Sequence, residues 1–176
     1  MNQLHNYVGT NMAYWTKRAP GYSEVNREEL QTAQRQVWSR TLDDRIQAHF
    51  QGAPRASLRV LDVGTGTGVL PRNMYRYGAR WTGTDLSENQ IAQARLLSEG
   101  MEIEYRTVPA EELDFPEASF DVITACQCFW YFQHEKVMPV FRRILKPGGR
   151  ILVLYMAWLP FEDRIAGASE ELVLKY

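Results

Sequence analysis

Three glycines and two aspartates are the residues of this chain whose types and spacing could do chemistry. In Val60-Leu-Asp-Val-Gly-Thr-Gly-Thr-Gly68 the glycines stand at 64, 66 and 68, directly after a short apolar run. Glycine lets a backbone turn tightly and approach a ligand without a Cβ clash. A helix is expected just beyond, so that free N–H groups face the loop. A plain glycine-rich turn is the alternative, and the loop's place between strand and helix argues against it. The spacing differs from a dinucleotide fingerprint, whose third glycine comes five residues after the first. Here Gly68 is four residues after Gly64. Asp62, just before the loop, suits a ligand with positive character better than a pyrophosphate. Asp85 follows Asp62 by 23 residues, and an acid at that place can accept two hydrogen bonds from a ribose diol. Its alternatives are a loop aspartate or an N-cap for the helix beginning near Ser87.

The elements that must hold these residues are legible as alternating short strands and helices. Leu58–Val63 reads as a strand and Leu70–Tyr77 as a helix that tolerates Pro71 only in its first turn. Trp81–Thr84 reads as a second strand. Ser87-Glu-Asn-Gln90 has capping-box form and predicts a helix to about Ser98. Ile103–Thr107 and Phe120–Cys126 are the third and fourth strands. Val137, Val140, Phe141, Ile144 and Leu145 mark one helix face, with Pro139 expected in or near the first turn. Arg150–Met156 is the fifth strand, almost uniformly apolar. Upstream, Leu30, Ala33, Val37, Leu42, Ile46 and Phe50 fall near helical periodicity over Glu28–Phe50. Alternation of this kind predicts an α/β domain with a mainly parallel sheet and helices on both faces. Ligands then bind beyond the carboxyl ends of the strands, at the switch point in strand order.

Five segments in order carry a resemblance: Val60–Gly68, Gly83-Thr-Asp-Leu-Ser87, Pro109-Ala-Glu-Glu-Leu113, Ser119-Phe-Asp-Val-Ile123 and Leu145-Lys-Pro-Gly-Gly149. Together they resemble a class I S-adenosylmethionine-dependent methyltransferase, of the small-molecule, quinone-biosynthesis-like branch (methyltransferase type 11). S-adenosylmethionine carries an ammonium and a sulfonium and no phosphate, which agrees with Asp62. The resemblance implies a Rossmann-like fold with strand order 3-2-1-4-5. It implies an N-terminal helical lid over residues 1–54 and a cofactor-binding α/β domain over residues 55–176. It further implies that Asp62, Gly64, Thr65 and Gly66 line the methionine end of the cofactor. Asp85 would hold the ribose, Leu86 would pack on the adenine, and Ala110 and Glu111 would lie at the adenine edge. Cys126 and Gln127 would pass beneath the methionine portion, and Tyr14 and Tyr22 would belong to the lid.

Two positions depart from the family pattern. Pro109 stands where an acidic residue often precedes the Ala-Glu pair, so the contact to the adenine amino group is lost or moves to Glu111. Phe129-Trp-Tyr-Phe132 stands where relatives often carry a histidine. That aromatic cluster can hold a flat or cationic acceptor, with Trp130 facing it, or can serve as core under a lid. Methyl transfer from a sulfonium needs alignment more than covalent help. A general base is required only when the acceptor must lose a proton. No catalytic residue is fixed; Tyr14, Tyr22 and Trp130 are the candidates, and His134 reads better as a surface residue at a helix start.

Composition narrows the classes. The 176 residues carry 20 Lys plus Arg against 21 Asp plus Glu, a formal net charge of -1. Such a chain has no global field to draw it onto nucleic acid or an anionic membrane. No stretch approaches the roughly 20 apolar residues of a membrane span. Cys126 and Cys128, one residue apart, are expected as two thiols in a reducing cytoplasm. The three histidines are too scattered for a metal site, and none is expected. Two rival readings remain: a methyltransferase-like scaffold that binds without catalysing, and a nicotinamide-dependent oxidoreductase. A nucleic-acid methyltransferase lacks its motif, because Ala125-Cys-Gln-Cys128 replaces the Asn/Asp-Pro-Pro-aromatic run. Relatives continue past the fifth strand with further strands, so an open apolar edge is expected there. The expectation is that the chain is a piece of a longer protein or self-associates through that edge.

Overall fold

The computed structural model describes residues 33–51 and 53–155, with isolated residues on either side (9, 13, 14, 16, 17, 171, 172 and 175). Tyr22, Leu30 and Met156, all part of the expectations above, lie outside the described residues. Among the described residues the α-helices and strands follow in the order α1 (Ala33–His49), β1 (Arg59–Val63), α2 (Val69–Met74), β2 (Arg80–Asp85), α3 (Glu88–Leu97), β3 (Ile103–Thr107), β4 (Phe120–Cys126), α4 (His134–Ile144) and β5 (Leu145–Leu154). The strands form one sheet in the order β3-β2-β1-β4-β5, and every pairing is parallel. The predicted order and alternation are thus observed. The switch point falls between β1 and β4, where the chain leaves one half of the sheet for the other.

Successive side chains of a strand point to opposite faces, and the core divides accordingly. Leu61, Val63 and Ile123 join Phe115, Phe120, Val137, Phe141 and Ile144 under α4. Their sequence neighbours Val60 and Val122 join Leu42, Ile46, Leu70, Met74 and Trp81 under α1 and α2. Helix α3 lays Ile91 and Ala94 against Tyr105 of β3. Its start is the predicted cap: the Gln90 N–H donates to the Ser87 hydroxyl at 3.4 Å.

Two details differ from the sequence reading. The buried stripe of α1 runs through Ser39, Leu42, Asp43 and Ile46, and Val37 is 69% exposed. A polar docking surface turns the helix: the Arg76 guanidinium donates to the Ser39 hydroxyl, and Arg55 pairs with Asp43. Pro139 is the sixth residue of α4, just past its first turn, in line with the expectation. Both Pro139 and Glu135, whose carbonyl loses a helical donor, face solvent, so the missing bond is left to water. Strand β5 begins at Leu145, which already pairs with Phe120, and Lys146–Gly149 bulges out before pairing resumes at Arg150. Gly148 takes φ +80 in that bulge, and Lys146 bonds both carboxylate oxygens of Asp121 at 2.8 and 2.9 Å.

Among the described residues β5 has a partner on one side only, β4. Ile151 and Leu152 reach opposite cores, whereas Val153 is 47% and Tyr155 66% exposed. No helix among the described residues is long and apolar enough to cross a membrane. Phe141, fully buried and edge-on to Phe132 at 6.3 Å, joins α4 to the segment after β4. Phe141→Ala is expected to cost about 3–5 kcal/mol, read as a lower urea midpoint at unchanged slope. A loss below about 1 kcal/mol would show that α4 is not part of the cooperative core.

Candidate cofactor site

The loop between β1 and α2 sits at the carboxyl end of the sheet, beside the switch point. Gly64, Gly66 and Gly68 take φ of +70, +55 and +74, the left-handed region that other residues enter at a cost. Their surroundings differ. A Cβ on Gly64 would lie 2.7 Å from the Cys128 sulfur, and one on Gly68 would collide with the Tyr105 hydroxyl. A Cβ on Gly66 would meet nothing nearer than the Gln90 side chain at 3.8 Å. Two of the three glycines therefore make room for the protein's own side chains, and only at Gly66 would a Cβ find room, in ordinary contact with Gln90. Gly83 in β2 also makes room for Tyr105, whose ring would lie 2.7 Å from an added Cβ. Burial pushes the Tyr105 phenol up to about 12.

Asp62 lies beneath this loop and is almost wholly buried. The Thr65 hydroxyl donates to its Oδ2 at 2.7 Å and the Thr124 hydroxyl to its Oδ1 at 2.6 Å. Thr124 stands opposite Asp62 in the β1–β4 register. Burial pushes the Asp62 carboxyl up from 3.8 to about 6, against the two hydroxyl bonds that lower it. Asp62 thus shapes the loop from below, and both its oxygens are engaged within the protein.

Asp85 ends β2 on the other side of the gap. Its Oδ2 accepts from the Gly66 N–H and its Oδ1 from the Ser87 N–H, each at 2.9 Å. Burial raises its pKa, while bonds from the Ser87, Gly66 and Leu86 backbones lower it. One carboxylate therefore bridges the glycine loop and the start of α3. Each carboxylate oxygen has two acceptor sites, so hydrogen bonds to a ligand's hydroxyls remain available. Leu86 is half-buried beside it.

The remaining expected positions fall around the same end of the sheet. Ala110 is buried at the start of a short 3-10 turn (Ala110–Glu112) after β3. The Val108 N–H donates to the Asp85 carbonyl at 2.9 Å, tying that connection to β2. Glu111, half-buried, spends Oε1 on the Gln133 N–H at 2.9 Å, away from β2. Cys126 is half-buried at the end of β4, its thiol pushed up to about 11 by burial and by Asp62. Gln127 takes φ +59, a strained turn for a residue with a side chain. That turn brings Cys128 back to Gly64, where its thiol donates to the Val63 carbonyl at 3.1 Å. Trp130 is exposed and meets Tyr155 edge-on at 5.3 Å. Tyr14 is exposed, and two residues on the Thr16 hydroxyl lies 2.9 Å from that of Ser87. His134 stacks on Phe129 at 4.6 Å and meets its carbonyl through Nε2.

Four contributors were not picked out by sequence reasoning: Thr124, Tyr105, Cys128 as a neighbour of Gly64, and Thr16. Gly83, an isolated glycine inside a strand, carried a signal of close approach that pointed to Tyr105. Nothing local marks Thr124 or Thr16.

Residues 61–153 match the family described as a methyltransferase domain, more than half of the chain. The chain belongs to this methyltransferase-domain family. It is 40% identical over 103 residues to a ubiquinone biosynthesis O-methyltransferase of Nitrosococcus oceani, covering 56% of this chain and 44% of the relative. It is 38% identical over 128 residues to the protein of the same description from Pseudomonas putida, covering 68% and 53%. Among solved structures, an S-adenosylmethionine-dependent methyltransferase from Mesorhizobium loti matches at 28% identity and TM-score 0.52, covering 60% of this chain and 50% of that one. The chain spans about half the length of the curated relatives it matches.

In this methyltransferase domain the Asp62 carboxyl titrates higher folded than unfolded, so the folded chain binds that proton more tightly. Its contribution is most favourable below the unfolded value and is lost as pH rises to about 6, by about 3 kcal/mol. Asp62→Asn is therefore expected to melt at a higher temperature than the unmodified chain near pH 7.5. The advantage should shrink as pH falls from about 6 to about 4. Calorimetric melting across that range tests this. A variant that melts lower at every pH would show that the ionised carboxylate is a net stabiliser of the loop.

Proposed function

We propose that this chain binds S-adenosylmethionine and transfers its methyl group to a small-molecule acceptor. The observation that carries the reading is the Asp85 bridge: a carboxylate at the end of β2, joined to Gly66 and Ser87, beside the one loop glycine where an added Cβ would meet only an ordinary contact. The donor set fits the cofactor's chemistry. Two carboxylates flank the loop, and they favour hydroxyl and ammonium groups over phosphates. In this reading Asp85 holds the ribose diol, Leu86 packs on the adenine, and the Ala110 backbone borders its edge. Gly64, Thr65 and Gly66 border the methionine end, with Asp62 acting through the loop it supports. Cys126 and Gln127 form the floor at the end of β4.

The bound cofactor would supply a methyl group on a positively charged sulfur, already activated for displacement. The chain's own residues align the partners and exclude water. Trp130, exposed on the connection after β4, offers a flat apolar face to an acceptor. The relatives named for ubiquinone biosynthesis support a small aromatic hydroxyl acceptor as the finer reading. In this reading the part of residues 1–54 that precedes α1 acts as the lid, with Tyr14 and Tyr22 as candidate bases, a role supported by the Thr16–Ser87 contact beside Asp85, whereas α1 itself packs into the core. Residues 55–176 form the binding domain. The protein acts in the cytoplasm, and the edge of β5, unpaired among the described residues, is a surface for self-association.

Asp85→Ala is expected to weaken S-adenosylhomocysteine binding by about 1.5–3 kcal/mol, the range for hydrogen bonds to a charged group. Titration calorimetry measures it directly. An unchanged affinity in that variant, or NADH binding more tightly than S-adenosylhomocysteine, would overturn the assignment.

A further inference from the structure

Glu111 stands in the turn after β3, where the adenine edge is expected, yet its carboxylate is turned to another part of the molecule. Oε1 accepts the N–H of Gln133, the residue just before α4. The Gln133 side chain makes no capping bond of its own. The opening N–H groups of a helix have no partner within it, and a carboxylate is a strong acceptor there. Here the acceptor arrives from a different connection, 22 residues away in sequence.

What lies between β4 and α4 gives this bond its consequence. The connection opens at Gln127 in a strained left-handed turn, with its N–H held by the Leu154 carbonyl at 2.9 Å. It then lays Cys128 and Phe132 against Gly64, the first glycine of the loop. Trp130, in its middle, is 47% exposed. The connection is therefore pinned through its own backbone N–H groups at both ends, at Gln127 by the Leu154 carbonyl of the sheet and at Gln133 by the Glu111 carboxylate. A strained segment holds its shape only while its surroundings over-determine it. We infer that Glu111 is a positioning residue. It fixes the wall formed by residues 127–133 against the glycine loop, and so sets the place of Trp130, instead of contacting adenine.

The inference rests on the proposed site for its meaning in catalysis, but the tie itself can be tested without any ligand. Hydrogen exchange is followed in the unmodified chain, in Glu111→Ala and in Glu111→Gln. The alanine variant should speed exchange across 129–133 by about tenfold or more, the scale of a lost bond to a charged acceptor. Amides of β1 should keep their protection. Glu111→Gln retains the acceptor oxygen and should restore exchange to within about threefold of the unmodified chain. Gln133→Pro removes the donor instead. Gln133 has φ -78 and Phe132 before it is extended, so proline fits the existing path and should reproduce the alanine effect. In parallel, S-adenosylhomocysteine affinity should stay within about threefold in Glu111→Ala.

Unchanged exchange over 129–133 in both Glu111→Ala and Gln133→Pro would overturn the inference, as would failure of Glu111→Gln to restore it. A large loss of S-adenosylhomocysteine affinity with unchanged exchange would make Glu111 a ligand contact instead. If the unmodified chain bound no S-adenosylhomocysteine at all, the proposed function would fall while the exchange arms still decided the role of Glu111.

Discussion

A carboxylate shut away from water governs the glycine-loop end of this domain. Asp62 is buried beneath the loop it precedes, and a buried charge is costly unless its oxygens are bonded. Thr65 and Thr124 supply those bonds from opposite directions, one from the loop above and one from the neighbouring strand. For Thr65 to reach down, the loop must fold back over the end of β1. The left-handed turns at Gly64 and Gly66 on either side of it allow that. For Thr124 to reach across, β1 and β4 must pair in the observed register. The shape of the loop and the register at the switch point are thus two consequences of one desolvated group.

The same economy explains the glycines. Close packing leaves few voids, and here the spaces beside Gly64, Gly68 and Gly83 are taken by Cys128 and Tyr105. Tyr105 carries its hydroxyl to Ser98 at 2.9 Å, which locks the ring beneath the loop from the β3 side. Only around Gly66 does the structure leave room, and that is where Asp85 bonds the backbone. A loop so braced by the protein's own side chains is preformed, which lowers the ordering cost of binding.

The connections are braced as well. β3 and its following turn are tied to β2 through Val108 and to the start of α4 through Glu111. The segment after β4 packs Phe129 and Phe132 against the α4 side of the core. Loops at the carboxyl ends of the strands are therefore joined to one another laterally, and not only to the strands that precede them. That is the arrangement a site assembled from several connections requires if its parts are to move together.

Much of this protein was legible in the residues before any coordinates. Alternating strand and helix patterns, the Ser87 cap and the spacing of Asp62, the glycines and Asp85 are local or periodic signals, and local geometry reads them. The strands Ile103–Thr107 and Phe120–Cys126 fell where the apolar runs placed them, and the ordered set of motifs carried the family and with it the strand order. What only the tertiary structure decided were relations between distant segments. Val37 keeps the helical period yet faces solvent, because Ser39 and Asp43 find polar partners on Arg76 and Arg55 and rotate α1. Leu145 enters β5 ahead of the glycines because Phe120 pairs with it. Glu111 accepts the Gln133 N–H because a helix start there lacks an acceptor of its own. In each case a side chain's role is set by which desolvated polar group or open space the fold brings beside it. Periodicity along one chain does not contain that information.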